Sequence, residues 1–259
     1  MIRTSCKSSR RRKNYDHNQR AQAIGLRRCD RQLNLHTVEG IELKDNKLGK
    51  IGAIVTGVSV AVFALAMLVR LAAGLNTAFV SYFVCIFIAV GYIMFAAALA
   101  TPRKDKSLSA SGLAGLAFSV VYAVLIFVVY YAMLTTVRMN GTLGDEALSV
   151  ISYERLGSLF FNYDLLGYGF MGLSTFFIGF TVTPKNKGDA ALRLLLWIHG
   201  IFFVSCFLMP MFPVFTPGMS GGDVIGTLVL LVWCAYFLPI CILGWRYFKG
   251  INAQDSRRK

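Results

Sequence analysis

Six long apolar stretches divide this chain, and they constrain its fold more than any other feature. A helix needs about 20 apolar residues to cross a hydrocarbon core of about 30 Å, and each stretch is long enough. Only 15% of the 259 residues are charged, whereas a soluble domain carries about 25%. We therefore predict an all-α, polytopic membrane protein, a bundle of six transmembrane helices. The predicted spans are 51–74, 78–100, 112–136, 159–182, 191–212 and 224–247.

The residues outside the spans are predominantly basic. We predict a disordered N-terminal tail over 1–50, a transmembrane domain over 51–247 and a basic C-terminal tail over 248–259. The net charge of +14 raises the possibility of nucleic-acid binding, but the basic residues of the rest of the chain lie next to spans. We therefore predict the lipid bilayer as partner, and no specific nucleic-acid partner.

A second interpretation of the tail is that translation begins later. Codons for Glu39-Gly40 can spell a bacterial ribosome-binding site, and a UUG or CUG codon at Leu43 can initiate with methionine. The intact mass of protein expressed from its own upstream region decides between this start and Met1.

Lys and Arg fall on alternate sides of the predicted spans. The side that holds both termini carries 14 of these residues after position 42, and the opposite side carries only Arg138 and Arg155. Basic loops stay in the cytoplasm, so we expect both termini there, in the cell membrane of a bacterium. The 14 residues are Lys44, Lys47, Lys50, Arg103, Lys104, Lys106, Lys185, Lys187, Arg193, Arg246, Lys249, Arg257, Arg258 and Lys259.

The connections differ between the two sides. The two inner connections each begin with Thr-Pro, and proline disfavours helix in the residue before it, so Thr101 and Thr183 are predicted helix ends. The outer side has two longer loops: 138–158, with a sequon at 140–142, and 210–223, which is rich in Pro and Gly. We expect the second to form an irregular cap. In the first, an apolar stripe is predicted to lie on the membrane surface; its residues are Ala147, Leu148, Ile151 and Leu156.

Three ionisable residues lie within the spans: Arg70, Asp164 and His199. Counted at 1.5 Å per residue, Arg70 lies roughly 6 Å and Asp164 about 8 Å below the same boundary. One interpretation is an ion pair between these two residues, because each charge alone is costly in lipid. The other is that Arg70 extends to the lipid headgroups while Asp164 meets water.

His199 lies near the middle of the fifth span. A histidine at this depth can relay protons or bind a metal. However, no second histidine or carboxylate follows three or four residues later, which favours a histidine that is hydrogen-bonded inside the bundle.

Small residues recur along single helical faces. Gly167, Gly169 and Gly172 match the spacing of a dinucleotide-binding loop, but they lie within a span and not between a strand and a helix, so we reject that interpretation. We predict instead that small residues bring helix backbones together, within the bundle or against a protein partner or second copy of the chain. The glycines predicted to pack are Gly112, Gly115, Gly169, Gly172 and Gly179.

No pattern indicates catalysis. The six cysteines form no C-x-x-C pair, so neither zinc nor disulfides are predicted, and we assign no catalytic, metal or cofactor residue. Pro239 is expected to kink the sixth span. The polar content of the spans favours a small permease or channel-like protein. The alternative is a non-catalytic membrane subunit, sensor or assembly factor.

Overall fold

The computed structural model describes residues 45–101, 109–139, 141, 143–212 and 222–257, and this part of the chain contains helices and no strands. Of the predicted tail over 1–50, residues 1–44 lie outside the described residues, whereas 45–50 belong to the first helix. The possible start at Leu43, the sequon residues Asn140 and Thr142, and most of the loop 210–223 also lie outside the described residues. The α-helices are α1 (Asp45–Ala73), α2 (Ala78–Ala100), α3 (Ala110–Ala132), α4 (Asp145–Ile151), α5 (Leu159–Gly179), α6 (Lys187–His199), α7 (Ile201–Leu208) and α8 (Gly222–Arg257).

Five helical segments are long and apolar enough to cross a membrane. They are α1, α2, α3 with its last turn, α6 together with α7, and α8. The prediction of helices able to span a membrane is confirmed for these five, and the predicted count of six is not confirmed. Helix α5 is less apolar, since its 21 residues include Asn162, Asp164 and four glycines.

Helix α5 packs against α3, α6 and α7 and forms the centre of the bundle. The hydroxyl of Ser174 on α5 donates to the carbonyl of Gly115 on α3 over 2.6 Å. It also accepts a hydrogen bond of 2.8 Å from the hydroxyl of Tyr92 on α2. One buried side chain therefore joins three helices.

Helix α1 lies against α2 and α8. A Cβ atom on Gly52 would lie 2.4 Å from the backbone nitrogen of Phe95, so the backbones of α1 and α2 are in direct contact there. The ring of Phe248 on α8 fills the space beside Gly49 and packs on the ring of Phe95 at 6.2 Å between centroids.

The bundle has two ends, which we name by their connections. The α4 end comprises the turn 74–77, α4 and the segment 152–158, and the hydroxyl of Tyr82 on α2 donates to Glu154 there over 2.9 Å. The Thr-Pro end comprises Thr101 and Thr183. Helix α2 stops at Ala100, as predicted, whereas α5 stops at Gly179. The predicted fourth span is therefore three residues too long.

The α4 end contains a short helix where the sequence predicted an apolar stripe. Helix α4 spans seven residues, and Ala147, Leu148 and Ile151 are half-buried while Glu146 and Val150 are exposed.

Two helices depart from the predicted continuous spans. The fifth span divides at Gly200, where a Cβ atom would lie 2.9 Å from the Cβ of Phe176 on α5. The close approach of α5 thus coincides with a break between α6 and α7. Helix α3 ends in a π-helical segment, Met133–Val137. Helix α8, by contrast, continues through Pro239.

Candidate functional site: a buried carboxylate below two connected cavities

Asp164 is held in the interior of the bundle near the α4 end. The hydroxyl of Ser158 caps α5 by accepting from the backbone N–H of Phe161 at 3.2 Å, and Asp164 follows within the second turn. Its side chain is 3% exposed. The hydroxyl of Tyr130 lies within hydrogen-bonding reach of the carboxylate, but Oδ1 of Asp164 has no hydrogen-bond partner. A buried carboxylate oxygen without a partner is costly, and it marks a position where a donor or cation would be stabilised.

Tyrosines from α3, from α5 and from the loop before α5 lie near this carboxylate, and Tyr82 on α2 packs against them. The ring of Tyr130 on α3 packs against Tyr82 at 5.5 Å and Tyr153 at 5.6 Å between centroids. The ring of Tyr168 on α5 packs against Tyr122 on α3 at 5.6 Å. Burial raises the pKa of Tyr153, in the loop before α5, well above its ordinary value, so its hydroxyl is a neutral donor.

Two cavities lie between this cluster and the α4 end of the bundle. The outer cavity has a volume of about 260 Å³, and its lining includes Arg70, Tyr82 and Glu154. The inner cavity has a volume of about 120 Å³, and its lining includes Asp164. The two are adjacent, because five residues line both: Tyr153, Leu156, Phe161, Gly226 and Leu230.

The segment 152–158 forms part of the wall of both cavities. The backbone N–H of Tyr153 donates to the sulfur of Met133 over 3.4 Å, which fixes the segment to the π-helical end of α3. The hydroxyl of Ser158 closes the segment on itself by donating to the carbonyl of Ser152 over 2.6 Å. The position of Tyr153 is therefore set by α3 and by the start of α5.

The hypothesised ion pair between Arg70 and Asp164 is not formed. Among the described residues the ion pair present is Arg155–Asp145, with 3.8 Å between nitrogen and oxygen. Arg70 is exposed and lines the outer cavity, whereas Asp164 lies at the inner one. Equal depth along the bundle axis did not imply contact, since the two side chains open onto different parts of the cavity system.

His199 is fully buried in a closed hydrogen-bond network. The indole Nε1 of Trp233 on α8 lies 3.1 Å from Nε2 of His199, and Nδ1 lies 2.8 Å from the hydroxyl oxygen of Thr175 on α5. Indole nitrogen only donates, so Nε2 must accept and Nδ1 carries the proton. The hydroxyl of Thr175 then donates to the carbonyl of Gly172 over 2.8 Å. This neutral histidine has no free nitrogen for a metal or proton relay.

The predicted packing glycines all lie at contacts between helices of this chain. A Cβ atom on Gly112 would lie 2.6 Å from the carbonyl oxygen of Ala100, and one on Gly115 would lie 3.0 Å from that of Ser174. Gly169, Gly172 and Gly179 face α6 and α7. A Cβ on these three would lie 3.5 Å from Cys206, 3.0 Å from the backbone nitrogen of Phe203 and 2.4 Å from Trp197, respectively.

Within the described part of the chain, no group of three His, Cys, Asp or Glu side chains is placed to hold a metal ion. The four cysteines described, Cys85, Cys206, Cys234 and Cys241, are free thiols. The hydroxyl of Tyr168 donates to the sulfur of Cys85 over 3.9 Å.

The aromatic residues of this site were not predicted from the sequence. Tyr130, Tyr153, Tyr168 and Trp233 were not singled out, although three of them lie within predicted spans. A signal was present: Tyr122, Ile126 and Tyr130 follow at intervals of four residues, which places two phenols on one face of a helix. A phenol in the middle of a span requires a hydrogen-bond partner inside the protein.

Comparison of the chain with protein-family models, with curated proteins and with solved structures gives no match. The functional interpretation therefore depends on the geometry of the site.

Proposed function

We propose that this chain is a small multi-pass permease of the cell membrane, with six transmembrane helices and both termini in the cytoplasm. In this proposal α5 also crosses the membrane and completes the set of six transmembrane helices. At 1.5 Å per residue its 21 residues extend for about 30 Å, which matches a hydrocarbon core. Three of its polar residues, Asp164, Ser174 and Thr175, are buried inside the bundle.

One observation supports this proposal above the others: two adjacent cavities lie between the α4 end and a buried carboxylate with an unpartnered oxygen. A carrier needs a route from one side of the membrane to a binding group inside the bundle. With the basic connections in the cytoplasm, the α4 end faces outward, and the cavities would accept a solute from outside. The proposal assigns no catalytic role to the chain.

The alternative is a non-catalytic membrane sensor, subunit or assembly factor, and a different observation favours it. Between the cavities and the Thr-Pro end, the bundle is filled by packed aromatic rings. Tyr92, Phe95, Phe237 and Phe248 are each at most 1% exposed. A protein that binds a ligand without moving it requires no path through this layer.

Flux measurements separate the two functions. The purified full chain is reconstituted into liposomes, and uptake is measured for a panel of labelled solutes: an organic cation, an amino acid, a carboxylate and a sugar. A permease gives uptake of one class above that of empty liposomes, and Asp164→Asn reduces it. If no solute enters faster than in empty liposomes, the permease proposal is wrong. Crosslinking in native membranes then tests the alternative, for which a stable partner protein is expected.

A further inference from the structure

We propose that the inner cavity, which adjoins the outer one, binds a small organic cation, with its ammonium group against Asp164 and its apolar part against the aromatic wall. This deepens the proposed function, since it names the class of solute. Binding at equilibrium does not require movement across the membrane, so the two proposals can fail separately.

The buried carboxylate of Asp164 favours a positively charged ligand. Asp164 is buried, its Oδ1 has no hydrogen-bond partner, and it lines the inner cavity. A carboxylate removed from water is stabilised when an opposite charge or donor meets its free oxygen. No basic side chain lines the inner cavity, so within the described chain this counter-charge does not come from the cavity wall. A cationic ligand would supply it.

The lining of the inner cavity determines which kind of cation fits. Five aromatic side chains line the inner cavity: Tyr153, Phe161, Tyr168, Phe202 and Trp233. Aromatic faces attract ammonium groups, and they do so most strongly when the site is shielded from water. A calcium ion, by comparison, takes about six to eight oxygen ligands, and Asp164 is the single carboxylate among the described residues that line this cavity. An amine with methyl or methylene groups fits such a wall better than a bare metal ion.

The volumes of the cavities limit the size of the ligand. The inner cavity measures about 120 Å³ and the outer one about 260 Å³, and each is smaller than about 300 Å³, the lower limit for pockets that bind drug-sized ligands. The ligand is therefore small.

The charges at the outer cavity determine whether a cation can enter. Arg155 lies 3.8 Å from Asp145, and Glu154 lines the same cavity as Arg70. Among the described residues at this entrance, Arg70, Arg155 and Glu154 line the cavity and Asp145 pairs with Arg155, so the two acids balance the two guanidinium groups and these residues carry no net positive charge that would repel a cation.

The test compares two probes of nearly equal shape. Choline carries a trimethylammonium group, and 3,3-dimethylbutan-1-ol replaces its nitrogen by carbon. Equilibrium binding of labelled choline to the full chain in lipid nanodiscs is measured, with the neutral isostere as competitor. We expect saturable choline binding and an isostere weaker by about tenfold or more, the loss expected when a desolvated cation contact is removed. Equal affinity for the two probes, or no saturable choline binding, would overturn the proposal.

Variants locate the site. Asp164→Asn removes the charge at constant shape and should weaken choline by about tenfold or more, without changing the affinity of the isostere. Asp189→Asn is the matched control, because Asp189 is also buried but accepts from the backbone N–H of Lys185 at the Thr-Pro end. It should leave choline binding unchanged. Equal effects of the two variants would contradict the assignment to Asp164.

A third measurement does not depend on the folding of a charge variant. Trp233 lines the inner cavity, so in a protein with Trp197→Phe and Trp245→Phe its emission reports on this site alone. Choline should change that emission with the same saturation curve as the binding assay. An unchanged emission at saturating choline would place the ligand elsewhere and reject this cavity.

Discussion

The indole Nε1 of Trp233 donates a hydrogen bond of 3.1 Å to Nε2 of His199, and this contact joins α8 to α6 in the centre of the bundle. The two residues differ in their position relative to the inner cavity. Trp233 also lines the inner cavity, whereas His199 is fully buried behind it. Since Thr175 occupies the other ring nitrogen, the histidine serves as a fixed support for one aromatic wall of the cavity.

Removal of this hydrogen bond should lower stability. Trp233→Phe leaves Nε2 of His199 buried without a donor, and we expect a loss of about 1–3 kcal/mol in the free energy of unfolding. In a double-mutant cycle with His199→Phe, the coupling energy should be about 0.6 kcal/mol and at most about 1.7 kcal/mol, the range found for hydrogen bonds between membrane helices. Equilibrium unfolding in mixed detergent micelles measures both quantities. Full additivity of the two substitutions would contradict the contact.

Arg70 and Asp164 should behave as independent sites. Because they form no ion pair, the effects of Arg70→Gln and Asp164→Asn on the free energy of unfolding should add within about 0.5 kcal/mol. Asp164→Asn should not reduce stability, since it removes a buried charge with an unpartnered oxygen. The same unfolding assay gives the values, with Ser174→Ala as a destabilising reference because Ser174 makes two buried hydrogen bonds. A coupling energy of about 1 kcal/mol or more would restore the ion pair.

The sequence was sufficient to predict that the described residues form helices, but not which of their side chains contact each other. Rise per residue gives the depth of Arg70 and Asp164 along the axis. Which helices face each other, and at what rotation, depends on packing between residues far apart in the chain. Thr175 and Trp233 are 24 and 34 residues from His199, so no local spacing could predict its network.

The inner cavity could not be predicted from the sequence for a similar reason. Its wall combines the segment 152–158, which is tied to Met133 through the backbone N–H of Tyr153, with residues of α5 and α8 that lie far apart in the chain. The break at Gly200 coincides with the approach of Phe176 on another helix. Glycine within an apolar run is equally compatible with an unbroken helix, so its sequence context alone does not predict the break.

The contact between α1 and α2 predicts a strong effect of a single methyl group. In Gly52→Ala the new Cβ would lie 2.4 Å from the backbone nitrogen of Phe95 and 2.8 Å from the carbonyl oxygen of Gly91. Backbone atoms cannot rotate away, so the helices must separate, and we expect a loss of about 1–3 kcal/mol. Gly250→Ala is the control, because no atom lies within 4 Å of its added Cβ and alanine favours helix. Equal unfolding free energies for the two variants would show that α1 and α2 do not pack at Gly52.

The proposed topology predicts opposite labelling of two exposed positions. Ser149 on α4 and Lys187 at the start of α6 lie at different ends of the bundle and are both exposed. The basic connections should hold the Thr-Pro end in the cytoplasm. In intact cells, an impermeant maleimide should therefore label Ser149→Cys and not Lys187→Cys, in a background where Cys6, Cys29 and the partly exposed Cys206 are replaced by serine. Opening the membrane should expose Lys187→Cys and so verify that this cysteine is reactive. Labelling of Lys187→Cys in intact cells, with Ser149→Cys protected, would invert the topology, and the cavities would then open toward the cytoplasm.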